Sequence, residues 1–259
     1  CITARVPGRA VALPDLLTLF LAGWATALAT GLGAIPVFIL GKAAERLHSA
    51  LVGLAIGLMS VASIVGLLEP ALHEGSVAEV LLGLCLGVFF LLAARRVIGN
   101  HEMHVGQMRG AGVRTSVLVF AVLFVHSLPE GLAIGTAYAS NTAGLSLFVI
   151  AAIALQNVPE GTAVAVPMQE AGFGNWEQFW AAVLTSTPQP FGAVLAYLLV
   201  QEVQALLPVS FAFAAGAMLA LVAWEMVPEA FTSTTWRGAG AGTLAGAACM
   251  LVLSAVLGV

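Results

Sequence analysis

The chain has 259 residues, of which 60% are hydrophobic and 8% are charged, and its mean hydropathy is +1.02. So little polar surface excludes a soluble globular domain and makes the lipid bilayer the expected solvent. The net charge of −4 comes from few charged residues, so no basic face for nucleic acid is expected. Cys1, Cys85 and Cys249 lie far apart without CxxC spacing, which argues against a disulfide framework and against a thiolate metal site.

Eight apolar runs are long enough to cross about 30 Å of hydrocarbon as helices. We number these predicted spans 1 to 8 in chain order: 15–40, 49–72, 77–94, 115–138, 144–167, 178–200, 208–230 and 238–258. Residues 95–114, between spans 3 and 4, are polar and glycine-rich and predict a flexible loop. The sequence therefore predicts an all-α polytopic membrane protein that forms one transmembrane domain over residues 1–259.

Basic residues are distributed unevenly between the connections. We number the connections by the span that precedes each. Seven of the nine Lys and Arg residues lie in odd-numbered connections, those that follow spans 1, 3 and 7: Lys42, Arg46, Arg95, Arg96, Arg109, Arg114 and Arg237. By the positive-inside rule these connections are cytoplasmic, although Arg5 and Arg9 at the N-terminus argue weakly against this orientation. We expect a cell membrane or inner-membrane protein with both termini outside the cytoplasm.

Two neighbouring spans carry ionisable side chains at bilayer depth. Span 4 contains HSLPEG, with His126 and Glu130 four residues apart, and span 5 contains QNVPEG, with Gln156 and Glu160 four residues apart. Residues at this spacing lie on one face of a helix. A charged group at this depth costs at least about 2.5 to 3.5 kcal/mol, so each needs a partner or a function. A sequence motif that occurs on two adjacent helices indicates that both helices contribute to one functional site.

Imidazole and carboxylate together suit a borderline divalent metal such as Zn²⁺, Cd²⁺, Fe²⁺, Mn²⁺ or Co²⁺. Two carboxylates also balance one divalent cation in charge. Pro129 and Pro159 each remove a helical hydrogen bond beside these residues, and the freed carbonyls are tolerated where they line a site. We expect Gly131 and Gly161, which follow the two glutamates, to leave room for a cavity.

The chain resembles the ZIP (Zrt/Irt-like) family of divalent metal transporters over essentially its whole length. The features that carry the resemblance are the eight spans, the two PEG words, the preceding His126 and Gln156, and the long loop between spans 3 and 4. The resemblance implies two three-helix repeats of inverted topology around spans 4 and 5, a 3+2+3 arrangement. It also implies alternating access and transport of metal into the cytoplasm.

The resemblance also implies the ligands of the main transport site. These would be His126, Glu130, Gln156 and Glu160, with Met59 of span 2 as a soft neighbour. Many family members hold a second metal beside the first, but here the matching positions are Ser127, Asn157 and Gln189. Replacing carboxylates by amides removes the charge that a second dication requires. We therefore expect one transported metal in the membrane, with these three residues bonded to ligands or to a water.

Further polar residues lie toward the ends of the spans. In span 7, Glu225 and Glu229 flank Pro228 and are candidates for an exit path, although Glu225 could equally pair with a helix-end group. Glu69 and His73 at the end of span 2 are candidates for a cation-attracting entrance. The pair His101 and His104 in the long loop suggests capture of released metal, and a merely polar loop explains it as well.

Rival functions lack their own signatures. An intramembrane metalloenzyme would need an HExxH-type word, and HEMH and HEGS have the wrong spacing. A metal-selective channel would use a ring of ligands from several subunits, and saturable, slow transport would exclude it. A proton-coupled carrier could use the same acids, whereas an anion carrier would need Lys or Arg in mid-span. Small-residue helix faces would permit a homodimer.

Overall fold

The computed structural model describes residues 12–40, 42–100, 111–140, 142–232 and 236–259. All the regular elements within these ranges are helices. Eight of them are long and apolar enough to cross a membrane, and they define spans 1 to 8 in the structure: Asp15–Leu40, His48–Glu74, Val77–Ile98, Ser116–Ala139, Leu145–Glu170, Asn175–Glu202, Leu206–Met226 and Trp236–Leu257. The predicted all-α polytopic membrane fold is confirmed.

Spans 1 and 6 are each interrupted by a short turn. Span 1 consists of the helices Leu13–Leu32 and Ile35–Leu40, and span 6 consists of Asn175–Thr185 and Pro188–Glu202. Pro36 and Pro188 lie at the start of the second segment, where proline is tolerated because the first turn of a helix leaves its N–H groups unbonded. The sequence predicted each of these spans as one continuous run.

Spans 2 and 7 each contain one π-helical turn. These turns cover Ile64–Leu68 and Val222–Met226, and in both cases a proline, Pro70 or Pro228, follows two residues after the turn. A proline ring clashes with the carbonyl four residues earlier, and a wider turn relieves this clash. The two spans therefore depart from regular helix for the same reason and at equivalent positions.

The helices on both sides of the long loop extend beyond the apolar runs. Helix Val77–Asn100 continues past the predicted end of span 3, and helix Ala111–Ala139 begins before the predicted start of span 4. Arg95 and Arg96 are therefore helical, contrary to the predicted loop over 95–114, because arginine is a good helix former whose charged end reaches water. His101 and His104 lie outside the described residues.

The spans pack in matched pairs. Span 2 packs most extensively against span 8, span 3 against span 7, and span 4 against span 6. Span 1 packs about equally against spans 5 and 6, and spans 4 and 5 also contact each other. Small residues allow this close approach: a Cβ added at Gly57 would overlap the backbone of Thr243, and one at Gly87 would overlap that of Phe213. Of the two spans that carry the PEG motif, span 5 is the more enclosed, with 61% of its apolar window buried against 39% for span 4.

Spans 3 and 8 have the largest lipid-facing surfaces. Only 22% of the apolar window of span 3 and 17% of that of span 8 are buried within the bundle. Large apolar side chains such as Phe89 and Leu244 are exposed there, as are the free thiols of Cys85 and Cys249. An exposed apolar surface of this kind is stable in hydrocarbon rather than in water.

Candidate metal centre

Three ionisable side chains meet between spans 4 and 5. His126 and Glu130 come from span 4 and Glu160 from span 5, and each places one ligand atom within 4.8 Å of the others. All three are buried, with Glu160 the most exposed at 5%. His126 Nε2 lies 3.7 Å from Glu130 Oε1, which is too long for a hydrogen bond. The structure thus brings together three of the sequence-predicted site residues.

The local sequence explains how these side chains converge. The spacing of four residues places His126 and Glu130 on one face of span 4, and Pro129 and Pro159 lie within their helices beside the site. The expectation that Gly131 and Gly161 leave room for a cavity was wrong. A Cβ at Gly131 would overlap the backbone of Gln189, and one at Gly161 would overlap that of Thr30. Both glycines therefore permit close packing of helices around the site.

Several buried atoms of the cluster lack a hydrogen-bond partner within the described part of the chain. These are both ring nitrogens of His126, Oε1 of Gln156 and Oε1 of Glu160. Buried polar atoms are usually bonded, so these atoms require an explanation. A divalent cation would bind the two oxygens and the one imidazole nitrogen that carries a lone pair, and it would also neutralise the two glutamates. The donor set fits Zn²⁺ and similar ions, which take imidazole nitrogen and carboxylate oxygen.

Each carboxylate oxygen of Glu130 accepts a hydrogen bond from a side-chain amide. Gln156 Nε2 donates to Oε1 at 2.5 Å, and Gln189 Nε2 donates to Oε2 at 2.6 Å. The side chain of Ser127 also interacts with Glu130. Gln156 and Gln189 are fully buried, so these bonds form away from water, where charge-assisted hydrogen bonds are strong. The amides, with Ser127, form the immediate surroundings of this carboxylate.

A residue of span 1 belongs to the same network and was missed by the sequence analysis. The hydroxyl of Thr26 donates to Gln189 Oε1 at 2.7 Å, and Asn157 Nδ2 donates to the Thr26 carbonyl at 2.7 Å and to Gln189 Oε1 at 3.1 Å. Thr30, one turn further along, is bonded to Ser186 of span 6 at 2.6 Å. The available signal was the spacing of Thr26 and Thr30, two threonines four residues apart in a mostly apolar span.

Met59 lies in span 2, fully buried within the main hydrophobic core of the bundle. A thioether is a soft and weak ligand, and methionine also fills irregular space in cores. Because both roles require burial, the burial of Met59 does not distinguish between them. Its part in metal binding stays a prediction.

A cavity of about 510 Å³ leads from the cluster toward one end of the bundle. Its walls come from spans 2, 4, 5 and 7, and its polar residues are His48, Glu160, Glu170 and Glu225. Glu225 also forms an ion pair with Arg95, with 2.8 Å between Glu225 Oε1 and Arg95 Nε. The sequence analysis singled out Glu225 but not His48 or Glu170, which lie near the ends of their helices and resemble ordinary surface residues in the sequence.

The remaining candidates are not brought to the cluster by any described contact. His73 Nε2 and Glu69 Oε1 lie 3.9 Å apart and both side chains are exposed at one end of span 2. A surface pair of this kind contributes little to stability, and its role as an entrance stays a prediction. The side chain of Glu229 lies outside the described residues, as do His101 and His104.

Comparisons with known proteins place this chain in a family. The family model of the ZIP zinc transporters matches residues 96–254. Zinc transporter GufA of Myxococcus xanthus is 33% identical over 245 residues, covering 89% of this chain and 95% of the relative, and zinc transporter ZIPB of Bordetella bronchiseptica is 32% identical over 256 residues, covering 92% and 81%. A longer relative from Arabidopsis thaliana is 33% identical over 210 residues, which are 80% of this chain and 33% of that plant protein. The chain therefore belongs to the ZIP family of zinc transporters, and it is a membrane transporter rather than an enzyme.

Proposed function

We propose that this protein carries a divalent transition metal, foremost Zn²⁺, across the cell membrane into the cytoplasm through one site formed by His126, Glu130, Gln156 and Glu160. The observation that carries the proposal is the convergence of three buried ionisable side chains in mid-bundle, with lone pairs that lack donors. Burial of two carboxylates next to an unbonded imidazole is costly without a cation. Binding of the transported ion removes that cost.

The choice of Zn²⁺ rests on ligand chemistry and on relatives. One imidazole and two carboxylates suit Zn²⁺, and they also accept Cd²⁺, Fe²⁺, Mn²⁺ or Co²⁺ with affinities that follow the general order of first-row metals. The relatives from Myxococcus and Bordetella bear the name zinc transporter. These two lines of support favour Zn²⁺ as the main substrate of this chain.

We propose that the site holds one ion at a time. The positions where a second cation would need carboxylates are occupied by Asn157 and Gln189, whose amides are already bonded to each other and to Thr26. Neutral amides with satisfied oxygens offer a second dication neither charge nor free lone pairs. One divalent ion balances Glu130 and Glu160 alone.

The release path in this proposal is the cavity that begins at Glu160. It opens between the ends of spans that the distribution of basic residues assigns to the cytoplasm, and Glu170 and Glu225 line it. Carboxylates along such a path attract a cation that leaves the site. Alternating access would close this cavity while a second opening forms toward the other side of the membrane.

Internal symmetry supports this mechanism. Suppose that spans 1, 2 and 3 correspond to spans 6, 7 and 8, and that span 4 corresponds to span 5. This correspondence converts the packed pair of spans 2 and 8 into the packed pair of spans 7 and 3. It likewise converts the packed pair of spans 4 and 6 into the packed pair of spans 5 and 1. The π-helical turns fall in spans 2 and 7, which this matching relates. A 3+2+3 inverted repeat accounts for both observations, and such repeats favour two related conformations.

Uptake of Zn²⁺ and Cd²⁺ into proteoliposomes, together with the metal content of the purified protein, tests the proposal. We expect saturable uptake and about one bound ion per chain. His126→Ala, and the double change Glu130→Gln with Glu160→Gln, should abolish both. Saturation separates a carrier from a channel. Uptake and binding that persist in these variants would show that the duplicated PEG words serve the packing of the helices alone.

A further inference from the structure

Three buried polar residues form a fixed group beside the metal centre, which we call the amide cluster: Thr26 of span 1, Asn157 of span 5 and Gln189 of span 6. All three are fully buried. Gly131 lets the backbone of Gln189 pass directly against span 4, which places this glutamine beside Glu130. The cluster therefore belongs to the framework that surrounds the site.

The hydrogen bonds fix the direction of each amide. A backbone carbonyl can only accept, so the 2.7 Å contact to the Thr26 carbonyl identifies the Asn157 atom as nitrogen. That nitrogen also donates to Gln189 at 3.1 Å, and a nitrogen that donates needs an acceptor. The Thr26 hydroxyl lies 2.7 Å from the same Gln189 atom and also 2.8 Å from the Gly23 carbonyl. This atom is therefore the oxygen of Gln189, and the Gln189 nitrogen faces Glu130.

Gln156 and Gln189 differ in what each can do when an ion arrives. The oxygen of Gln156 has no hydrogen-bond partner among the described residues, so a half-turn of this amide would present that oxygen to the ion and release Glu130 Oε1. The oxygen of Gln189 accepts from Asn157 and lies 2.7 Å from the Thr26 hydroxyl, whose one proton is shared with the Gly23 carbonyl at 2.8 Å. The same rotation would set the Gln189 nitrogen against the Asn157 nitrogen and break at least one buried bond. Glu130 Oε2 therefore keeps its N–H donor while Oε1 becomes free.

We propose that Gln189, held by Thr26 and Asn157, withholds one oxygen of Glu130 from the transported ion and so keeps the ion loosely bound. This inference rests on the metal site of the proposed function. A carboxylate oxygen that already accepts an N–H is a weaker donor to a metal, and the ion then contacts Glu130 through one oxygen instead of two. Weaker coordination speeds release, which suits a carrier rather than a storage site.

Gln189→Met tests this inference, because methionine has a similar length and cannot donate a hydrogen bond; Gln189→Leu, which has no metal-binding sulfur, should give the same result. We expect the equilibrium dissociation constant for Cd²⁺ on the purified protein to fall by about three- to tenfold, the range expected for one buried hydrogen bond. In proteoliposomes KM and kcat should both fall, because tighter binding slows release. Weaker or unchanged Cd²⁺ binding in a folded Gln189→Met variant would overturn the inference.

Control variants separate positioning from packing. Gln178→Met removes another buried glutamine of span 6, whose amide bonds to the Phe173 carbonyl and to no other group in the described part of the chain. This change should leave Cd²⁺ affinity within about twofold of the parent. Thr26→Val should shift binding in the same direction as Gln189→Met, while Thr26→Ser, which keeps the hydroxyl, should restore the parent value. Equal effects of Val and Ser would contradict a role of the hydroxyl.

The two proposals fail in different ways. If the parent protein neither binds nor transports Cd²⁺, or if His126→Ala does both normally, the proposed metal site is wrong. If the parent and His126→Ala behave as expected but Gln189→Met weakens binding, only the inference about Gln189 is wrong. If Gln189→Met does not fold, the comparison of Thr26→Val with Thr26→Ser decides the question by the same binding measurement.

Discussion

Each carboxylate in the interior of this bundle needs compensation at short range, because a charge at bilayer depth costs at least about 2.5 to 3.5 kcal/mol. Glu130 finds part of it in two amide N–H groups at 2.5 and 2.6 Å. Glu160 keeps one oxygen that has no partner among the described residues. The surroundings of the two glutamates are therefore unequal, and in the proposed mechanism we expect Glu130 to be held in place and Glu160 to bind and release the ion.

The number of ions should change when the amides become acids. We expect Asn157→Asp combined with Gln189→Glu to raise the metal content from about one to about two ions per chain, because two added carboxylates balance a second dication. Metal content of the purified double variant, measured by elemental analysis, checks this. The matched control is Gln178→Glu on the same span, which should stay near one ion. A double variant that also stays near one would show that geometry, not charge, limits the site.

Sequence reasoning predicted the clustered ionisable residues better than their surroundings. His126, Glu130 and Glu160 could be selected because ionisable residues in apolar spans are rare and the PEG word occurs twice. Thr26 could not be selected in the same way, because a threonine in a membrane helix usually bonds to its own backbone. Its partners Asn157 and Gln189 are 131 and 163 residues away in the chain, and only the packing of spans 1, 5 and 6 brings them together.

At the scale of the helices, the glycines after the two glutamates determine how close neighbouring spans lie. Gly131 faces the backbone of Gln189 and Gly161 faces that of Thr30. The same two residues therefore join span 4 to span 6 and span 5 to span 1, next to the site. The reading of these glycines as cavity-forming failed because a sequence does not reveal which helix passes over a small residue.

Gly131→Ala should destabilise the bundle. The added Cβ would overlap the Gln189 backbone, and overpacking of this kind typically costs about 1 to 3 kcal/mol. The matched control is Gly240→Ala in span 8, where an added Cβ meets no atom within 4 Å; there alanine should be neutral or stabilise the helix by about 0.5 to 1 kcal/mol. Thermal unfolding in detergent measures both. Equal melting temperatures for the two variants would contradict the close packing at Gly131.

Helix ends and irregular turns were the least predictable elements. The apolar runs located all eight spans, yet span 3 extends as helix to Asn100 because arginines at its end remain helical. The π-helical turns of spans 2 and 7 precede prolines that the sequence displays, but a proline can also be accommodated by a kink. Which of these occurs depends on the neighbouring helices, and therefore on tertiary structure.

For the whole molecule, the orientation in the membrane links the cavity to the direction of transport. The basic residues predict that the cavity end of the bundle faces the cytoplasm, while the connection between spans 2 and 3 faces outward. Ala163 is half-buried and lines the cavity, and Ala78 is exposed at the start of span 3. A single cysteine at either position therefore reports the exposure of one side of the protein.

In a background with Cys1, Cys85 and Cys249 replaced by alanine, we expect Ala163→Cys to react with a membrane-impermeant maleimide in inside-out vesicles and not in right-side-out vesicles. Ala78→Cys, the matched control, should show the opposite pattern. Zn²⁺ should slow labelling of Ala163→Cys, because residue 163 lies one turn from Glu160 and a bound ion would favour closure of the cavity. Labelling of Ala163→Cys only from outside would reverse the assigned orientation, and with it the proposed release of metal into the cytoplasm through this cavity.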